Sequence, residues 1–484
     1  MNTFNYQEYQ TLLSSRGMIG LDLETTGINR NIEYERPTSA AILEYSSDLD
    51  NPGIIINDKC RLPYHILPDA GALNITNINP LELMNEKLSL FDLVSKIALY
   101  LKAHPEKIIA TYNGASYDLV ILRHSFFSSL YNPYLLSNAS EDRIHVDLYN
   151  IAQAIYCFEP EKISFHKDVT GKLVLKQELL AVANGIDPGD AHAAMDDVKV
   201  LLKLARLFET STPNIFFSAI ACGNKKRAMD LMTKQLFFNY GDVKYKERLA
   251  VKRTPTFICQ DPSYSNNLVH FDLSYDPLDD YIYFTAEEIA NKINRKGSPF
   301  FTIKANRSPV ILPAEFCTKN NLSKEEATER AETIQNNLGF KENVLLACDI
   351  NSRKRAEWPR SVYPESQIYD QFIDNHDRLL SEAFLSTENI DKRVEILNQI
   401  NDPRLIDFAK RIIATEHSDC DPKMRMNFQE FESKRLLTQD EVPWRTLANA
   451  WQSLEAEEKK PNINANILKA TRNYYNLIEK EIRK

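Results

Sequence analysis

The 484-residue chain contains only 13 glycines and no internal repeats, which excludes a collagen-like or glycine-rich low-complexity polymer. No stretch approaches the roughly 18 consecutive apolar residues that a membrane-spanning helix needs. Met1 to Glu8 have neither a basic run nor an apolar core, so no secretory signal is expected. Cysteine is sparse and scattered. The residues are Cys60, Cys157, Cys222, Cys259, Cys317, Cys348 and Cys420, an odd set without C-x-x-C spacing. This argues against a disulfide framework and against a zinc site, and reduced thiols in a cytoplasmic protein are expected. An excess of positive charge is missing too, because 58 Lys and Arg face 67 Asp and Glu for a net charge of −9. Such a balance does not advertise a nucleic-acid binder, although phosphate contacts depend on where basic groups cluster.

What is present is enough apolar and aromatic material, 43% and 10%, to exclude wholesale disorder. The length suggests about three domains at roughly 150 residues each. From about 17 to 205, strand-like and helix-like segments alternate. Gly17–Glu24, Ala40–Tyr45 and Lys107–Tyr112 read as strands. Leu90–Leu101, Asp118–Leu130, Asp147–Ile155, Lys176–Asn184 and Ala193–Phe208 read as helices, the fourth stopping at Gly185. This density predicts a three-layer α/β/α domain. Thr210–Asn214 carries turn formers and reads as its exit. A short helix is expected at Lys225–Lys234, then strands at Tyr245–Val251, Leu268–Leu273, Tyr281–Phe284 and Phe300–Ile303, as in a small, mostly β unit. Beyond about 360 the pattern is helical, most clearly after Asp402-Pro403. Nine basic residues, Lys225, Lys226, Arg227, Lys234, Lys244, Lys246, Arg248, Lys252 and Arg253, face only Asp230, Asp242 and Glu247 between residues 221 and 260. The chain is acidic with a basic island.

Three short segments carry chemistry. In Leu21-Asp-Leu-Glu-Thr-Thr-Gly27, strand alternation puts Asp22 and Glu24 on one face. Two adjacent carboxylates repel unless a hard divalent cation neutralises them; alone, the pair also fits a solvated face. In Tyr112-Asn-Gly-Ala-Ser-Tyr-Asp118, Asp118 stands where a strand turns into a helix, and alone it also fits a helix cap. In Asp190-Ala-His-Ala-Ala-Met-Asp-Asp197, His192 and Asp197 meet at one centre only if His192 precedes the helix, and Asp196 is the rival carboxylate. Together these residues supply what phosphoryl hydrolysis with two metal ions requires: acids for two Mg²⁺ ions and a neutral histidine to accept a proton from water.

The order Asp-x-Glu, Asp, His-x4-Asp resembles the DEDDh superfamily of 3′→5′ exonucleases over roughly residues 17–208. Further stretches resemble the bacterial exonuclease I family: Arg36-Pro-Thr-Ser-Ala-Ala-Ile42, Leu67–Thr76, Tyr131-Asn-Pro-Tyr134, Ala183-Asn-Gly-Ile186 and Ser308-Pro-Val310. The resemblance implies an RNase H-like three-layer exonuclease domain (1–210), a small SH3-like β domain (211–355) and an all-α C-terminal extension (356–484). It implies Asp22, Glu24, Asp118 and Asp197 as ligands of two Mg²⁺ ions, with Mn²⁺ able to substitute, and His192 as general base. Glu24, Thr25, Arg123, Tyr134 and Lys176 would touch the strand, Lys176 standing where an arginine is usual. Asp-Leu-Glu-Thr-Thr-Gly departs from the family's Asp-Tyr-Glu-Thr-Phe-Gly and loses an aromatic that would stack on a terminal base. The implied activity is stepwise hydrolysis of single-stranded DNA to 5′-mononucleotides by a monomer, with single-stranded-DNA-binding protein as partner. The basic island would track the phosphate backbone, with Tyr112 and Tyr117 stacking on bases or packing in the core. Two other readings are an exonuclease that trims RNA or proofreads a polymerase, and a catalytically silent nucleic-acid-binding protein.

Overall fold

Short, branched, apolar runs in the first third of the chain build a sheet, and amphipathic helices cover it. The computed structural model describes residues 6–27, 31–140, 142–189, 193–244, 247–316, 322–356, 360–461 and 463–484. The N-terminal elements are α1 (Tyr6–Arg16), β1 (Met18–Thr25), β2 (Pro37–Glu44), β3 (Ile54–Lys59), α2 (Ala70–Thr76), α3 (Pro80–Leu83), α4 (Leu90–Ala103), β4 (Ile108–Thr111) and α5 (Asp118–Ser128). There follow β5 (Ile144–Asp147), α6 (Leu148–Phe158), β6 (His166–Lys167), β7 (Leu173–Val174), α7 (Gln177–Ala183), α8 (Ala194–Ser211), α9 (Pro213–Cys222) and α10 (Lys225–Lys234).

Five strands form one sheet in the order β3-β2-β1-β4-β5. β1 runs antiparallel to β2 and parallel to β4, and β4 runs parallel to β5. Leu21 and Leu23 of β1 join Leu93, Val94 and Ile97 of α4 and Leu119 and Leu122 of α5 on one face. On the other, Ile108, Ile144 and Val146 meet Leu201, Leu204 and Phe208 of α8. α4 starts at a reciprocal cap, with the Ser89 side chain on the Asp92 amide and the Asp92 carboxylate on the Ser89 amide. The expected three-layer architecture is therefore present.

The middle of the chain contains β8 (Tyr240–Lys244), β9 (Leu249–Arg253), β10 (Pro255–Gln260), β11 (Asn267–Asp272), α11 (Ala286–Lys292), β12 (Phe300–Lys304), α12 (Lys324–Asn336) and α13 (Leu338–Ala356). Several readings need correction. Of the strand expected at Tyr245–Val251, Tyr245 and Lys246 lie outside the described residues, and only Leu249–Val251 is extended, within β9, which pairs antiparallel with β8. Tyr281–Phe284 is a 3₁₀ turn over Tyr281–Tyr283, entered through Asp280 at φ 68°. Its aromatic alternation comes from packing, because Tyr281 lies edge-on to Phe271 and Phe300. The unit is mixed rather than mostly β: Ala327, Ala331, Ile334, Phe340 and Val344 of α12 and α13 share a core with the three-stranded β10-β11-β12 sheet. Thr210–Asn214 is no exit, since α9 starts there at Pro213 and buries Ile215, Phe216 and Ile220 in the same core as Phe208.

The C-terminal segment is helical as expected: α14 (Asn375–Leu385), α15 (Ile390–Leu397), α16 (Pro403–Glu416), α17 (Pro422–Leu437), α18 (Leu447–Glu457) and α19 (Ala465–Ile482). Asp402 caps α16 by accepting from the Arg404 amide, with proline in the first turn. These helices pack back on the sheet layer. Phe127 of α5 and Leu130 just beyond it share a core with Leu405, Phe408 and Ile412, and Leu67 and Ala70 share another with Leu447 and Tyr475. The cysteines within the described residues are free thiols. No helix among the described residues is long and apolar enough to cross a membrane.

Candidate active site

Alternation along β1 sends Leu21 and Leu23 into the core and turns Gly20, Asp22 and Glu24 toward α8. A Cβ at Gly20 would lie 2.7 Å from Val198 Cγ1 and 3.0 Å from Leu202 Cδ2. Glycine therefore lets α8 press directly on β1. That contact carries Asp197, one residue before Val198, onto the acids of the strand. Ligand oxygens of Asp22, Glu24 and Asp197 all lie within 4.8 Å of one another. Asp196 is turned away and pairs with Lys199 Nζ at 3.1 Å. Asp118, at the first position of α5, is buried. It stands outside that triangle, but its charge acts on both Asp22 and Glu24.

The electrostatics are those of an unbalanced negative cluster. Burial, then the charges of Asp118, Glu24 and Asp197, push the Asp22 carboxyl well above the usual carboxylate range. Burial and the charges of Asp197 and Asp118 raise Glu24 to about 8. Burial raises Asp118 to about 7, with Asp147 adding to the rise. Neighbouring acids that disfavour each other's ionisation gain from a hard cation, and all the donors are carboxylate oxygens. The residues fit a divalent metal ion.

The turn before Asp118 is held by Asp147, at the end of β5. Its Oδ1 accepts from the Asn113 amide at 2.7 Å and its Oδ2 from the Ala115 amide at 3.1 Å. Oδ1 also caps α6 through the Tyr149 amide at 3.1 Å. Tyr117 ties this turn to β1, donating its hydroxyl to Gly27 O at 2.7 Å and lying 2.6 Å from Thr25 Oγ1. Sequence reasoning passed over Asp147 as a helix start; a lone Asp between strand and helix does not reveal that it also clamps a turn 34 residues earlier.

The other candidates are dispersed. His192 and its neighbours Asp190 and Ala191 lie outside the described residues. Thr25 is buried beside Glu24. Arg123 Nη1 donates to the Tyr369 hydroxyl at 3.0 Å, and Tyr134 packs on Phe372 with ring centroids 5.9 Å apart. Lys176 is exposed and sits 3.6 Å from Glu178. Of the two readings of Tyr112, packing fits the structure: its hydroxyl donates to Leu175 O at 2.7 Å and its ring packs edge-on against Tyr149. The basic island is partly neutralised, by Lys234–Asp230, Arg248–Asp168 and Arg253–Asp242 pairs. Lys246 lies outside the described residues.

The mixed five-stranded sheet, with acids gathered at the carboxyl end of β1, at the turn after β4 and on α8, has an RNase H-like architecture. No family model matches the chain. It is similar to exodeoxyribonuclease I of Escherichia coli (strain K12), 23% identical over 436 residues that span 82% of this chain and 88% of that protein. Among solved structures it resembles exonuclease I from Methylocaldum szegediense (TM-score 0.80, 22% identity, 96% of this chain and 99% of that one). It also resembles E. coli exonuclease I in complex with a dA16 oligonucleotide (TM-score 0.78, 20% identity, 95% and 99%) and an ExoI/SSB-Ct complex (TM-score 0.77, 20% identity, 95% and 99%). The resemblance to bacterial exonuclease I seen in short motifs thus runs the length of the chain, through the helical extension.

Proposed function

We propose that this protein is an exonuclease that hydrolyses single-stranded DNA in the 3′→5′ direction and releases 5′-mononucleotides. The observation that carries the reading is the meeting of Asp22, Glu24 and Asp197 with oxygens within 4.8 Å, beside buried Asp118. These four acids are assigned as ligands of two Mg²⁺ ions. Such ions supply Lewis-acid stabilisation of charge developing on a phosphodiester and make water more acidic. His192, five residues before Asp197 in sequence, is assigned as the base that takes the water proton at an imidazole nitrogen. Thr25, Arg123, Tyr134 and Lys176 are assigned to hold the strand. The named relatives and the dA16 complex support DNA as substrate, and the ExoI/SSB-Ct complex supports single-stranded-DNA-binding protein as partner.

The test uses 5′-labelled single-stranded DNA and RNA with Mg²⁺. Stepwise shortening of DNA with release of 5′-mononucleotides is expected, abolished by EDTA and reduced by on the order of 10³-fold or more in Asp22→Ala. RNA shortened as fast as DNA, or full activity in Asp22→Ala, would overturn the reading.

A further inference from the structure

Two cysteines far apart in the chain share the core of the middle unit. Cys348, on α13, is buried with Val269, Phe271, Phe300 and Phe340, and Cys259, on β10, is half-buried against the same cluster. α13 runs alongside the β10–β11 hairpin, and the contacts along that seam fix which residues face each other. One turn beyond Cys348, Ser352 Oγ donates to Ser263 Oγ at 2.7 Å. Three residues further, Arg355 Nη2 lies 3.6 Å from Asp261 Oδ2, and its guanidinium sits 4.5 Å from the Tyr264 ring. Cys348 comes one turn earlier on that helix face, and Cys259 two residues before Asp261 on the strand side. The seam brings the two thiols together, with Cys259 donating to Cys348 Sγ.

Other thiols have other neighbours. Cys60 and Cys157 donate to the carbonyls of Pro37 and Asp242, and Arg425 donates to Cys420 Sγ at 3.3 Å. Burial pushes Cys222 up to about 12. In the pair, the hydrogen bond from Cys259 holds Cys348 below the usual thiol value; the charge of Arg355 helps, while burial and Asp261 oppose it. The same bond pushes Cys259 up, with burial and the charges of Cys348 and Asp261 adding to the rise. One thiol is thus the readier nucleophile and the other keeps its proton, the division of roles that disulfide formation uses. Cys348 also borders a cleft of about 570 Å³ between α11, α13 and the strands β11 and β12, wide enough to admit a small oxidant.

We propose that Cys259 and Cys348 are a redox-sensitive pair that hydrogen peroxide converts to a reversible disulfide, latching α13 to the β10–β11 hairpin. The Cys348 thiolate attacks one peroxide oxygen and the O–O bond breaks. The departing hydroxide takes up the proton that Cys348 released, leaving a sulfenic acid and one water. The Cys259 sulfur then attacks the Cys348 sulfur, the S–OH bond breaks, and hydroxide leaves with the Cys259 proton as a second water. Two thiols lose two electrons, and the peroxide is reduced to two waters. A dithiol reverses the latch by exchange. The latch pins the stretch of α13 that carries Lys354 and Arg355, two of the basic residues around the cleft. The acid cluster takes no part in it.

The test treats the full chain with a small excess of hydrogen peroxide, counts thiols in denaturant and maps peptides without reduction. The seven thiols should fall to five, with an intact mass lower by about 2 Da. One linked peptide pair should carry Cys259 and Cys348, and dithiothreitol should restore every thiol. In Cys259→Ser, Cys348 should stop at the sulfenic acid and be trapped by dimedone, whereas Cys348→Ser should lose no thiol under the same treatment. Seven thiols surviving the treatment overturn the proposal. So does a bridge that joins any other cysteines, or one that joins two chains. The peptide map of the parent chain decides the matter even if a serine variant fails to fold. An inactive nuclease in the strand assay would refute the proposed function without touching these thiol counts.

Discussion

The acid cluster on β1 and the arginine cluster around Glu365, under the helical extension, bury charge in opposite ways. The acids crowd one another, whereas the arginines lie among carboxylates, Glu365, Asp407, Glu416 and Glu432. The acids come from one sheet and the two helices beside it, and their natural solution is a cation. The arginines come from residue 36 at one end and residue 435 at the other; Arg411 and Arg435 share Glu365, and Arg411 also pairs with Asp407. The acids sit on segments whose backbone is settled by the sheet and by Asp147, so a small ion completes them. The arginines sit on α16, α17 and a loop, around a cavity of about 390 Å³.

The comparison breaks most sharply at the shared carboxylate. Glu365→Gln leaves the buried guanidiniums without their common partner and should lower unfolding free energy by about 3–5 kcal/mol in urea titrations. Asp22→Ala in EDTA relieves repulsion and should leave the thermal midpoint unchanged or higher. If both variants destabilise alike, the two clusters do not differ as described.

A smaller effect probes the rigidity of the acid site. In Asp147→Asn, one side-chain atom becomes a donor facing an amide that needs an acceptor. The turn loosens, and turnover should fall about 10- to 100-fold with KM little changed and the fold intact by circular dichroism. Activity within twofold of the parent would show that Asp147 does not position Asp118.

A separate prediction concerns pH dependence. Burial lowers His65, in the cavity wall, to about 4, and His124, His145 and His270 to about 3. Each is neutral in the fold but charges near pH 6.5 when unfolded, so the unfolded chain binds more protons below that pH. Stability should be insensitive to these groups at pH 7.5. It should fall by about 1.4 kcal/mol per histidine per unit as pH drops from 6.5 toward 4. Urea midpoints at pH 7.5 and 5.0 measure the loss, and His65→Gln should remove the cavity's share.

Legibility followed sequence distance. Asp22 and Glu24 announced themselves because strand periodicity is local, and α8 because its apolar stripe repeats every turn. Gly185, at φ 74° after α7, marks the helix end where it was expected. β8 was not expected, and β9 was expected from Tyr245 rather than from Leu249, because residue types alone do not show which neighbouring segments pair. The 3₁₀ turn at Tyr281 was misread because its aromatics pack against β11 and β12 rather than alternate in a ladder. α9 was missed because Thr212-Pro213 reads both as an exit and as a helix start, and burial of Ile215 and Phe216 decided between them.

By itself, the sequence determined the layer architecture of the N-terminal third and the candidate acids, since periodicity and short spacing are properties of neighbouring residues. Asp197, favoured over Asp196 by the family spacing, does meet the strand, but tertiary structure alone decided that Asp147 clamps the turn before Asp118 and that arginines hundreds of residues apart surround one carboxylate. Those outcomes depend on how closely helices approach the sheet, and the bare face of Gly20 lets α8 come near enough for the acids to meet.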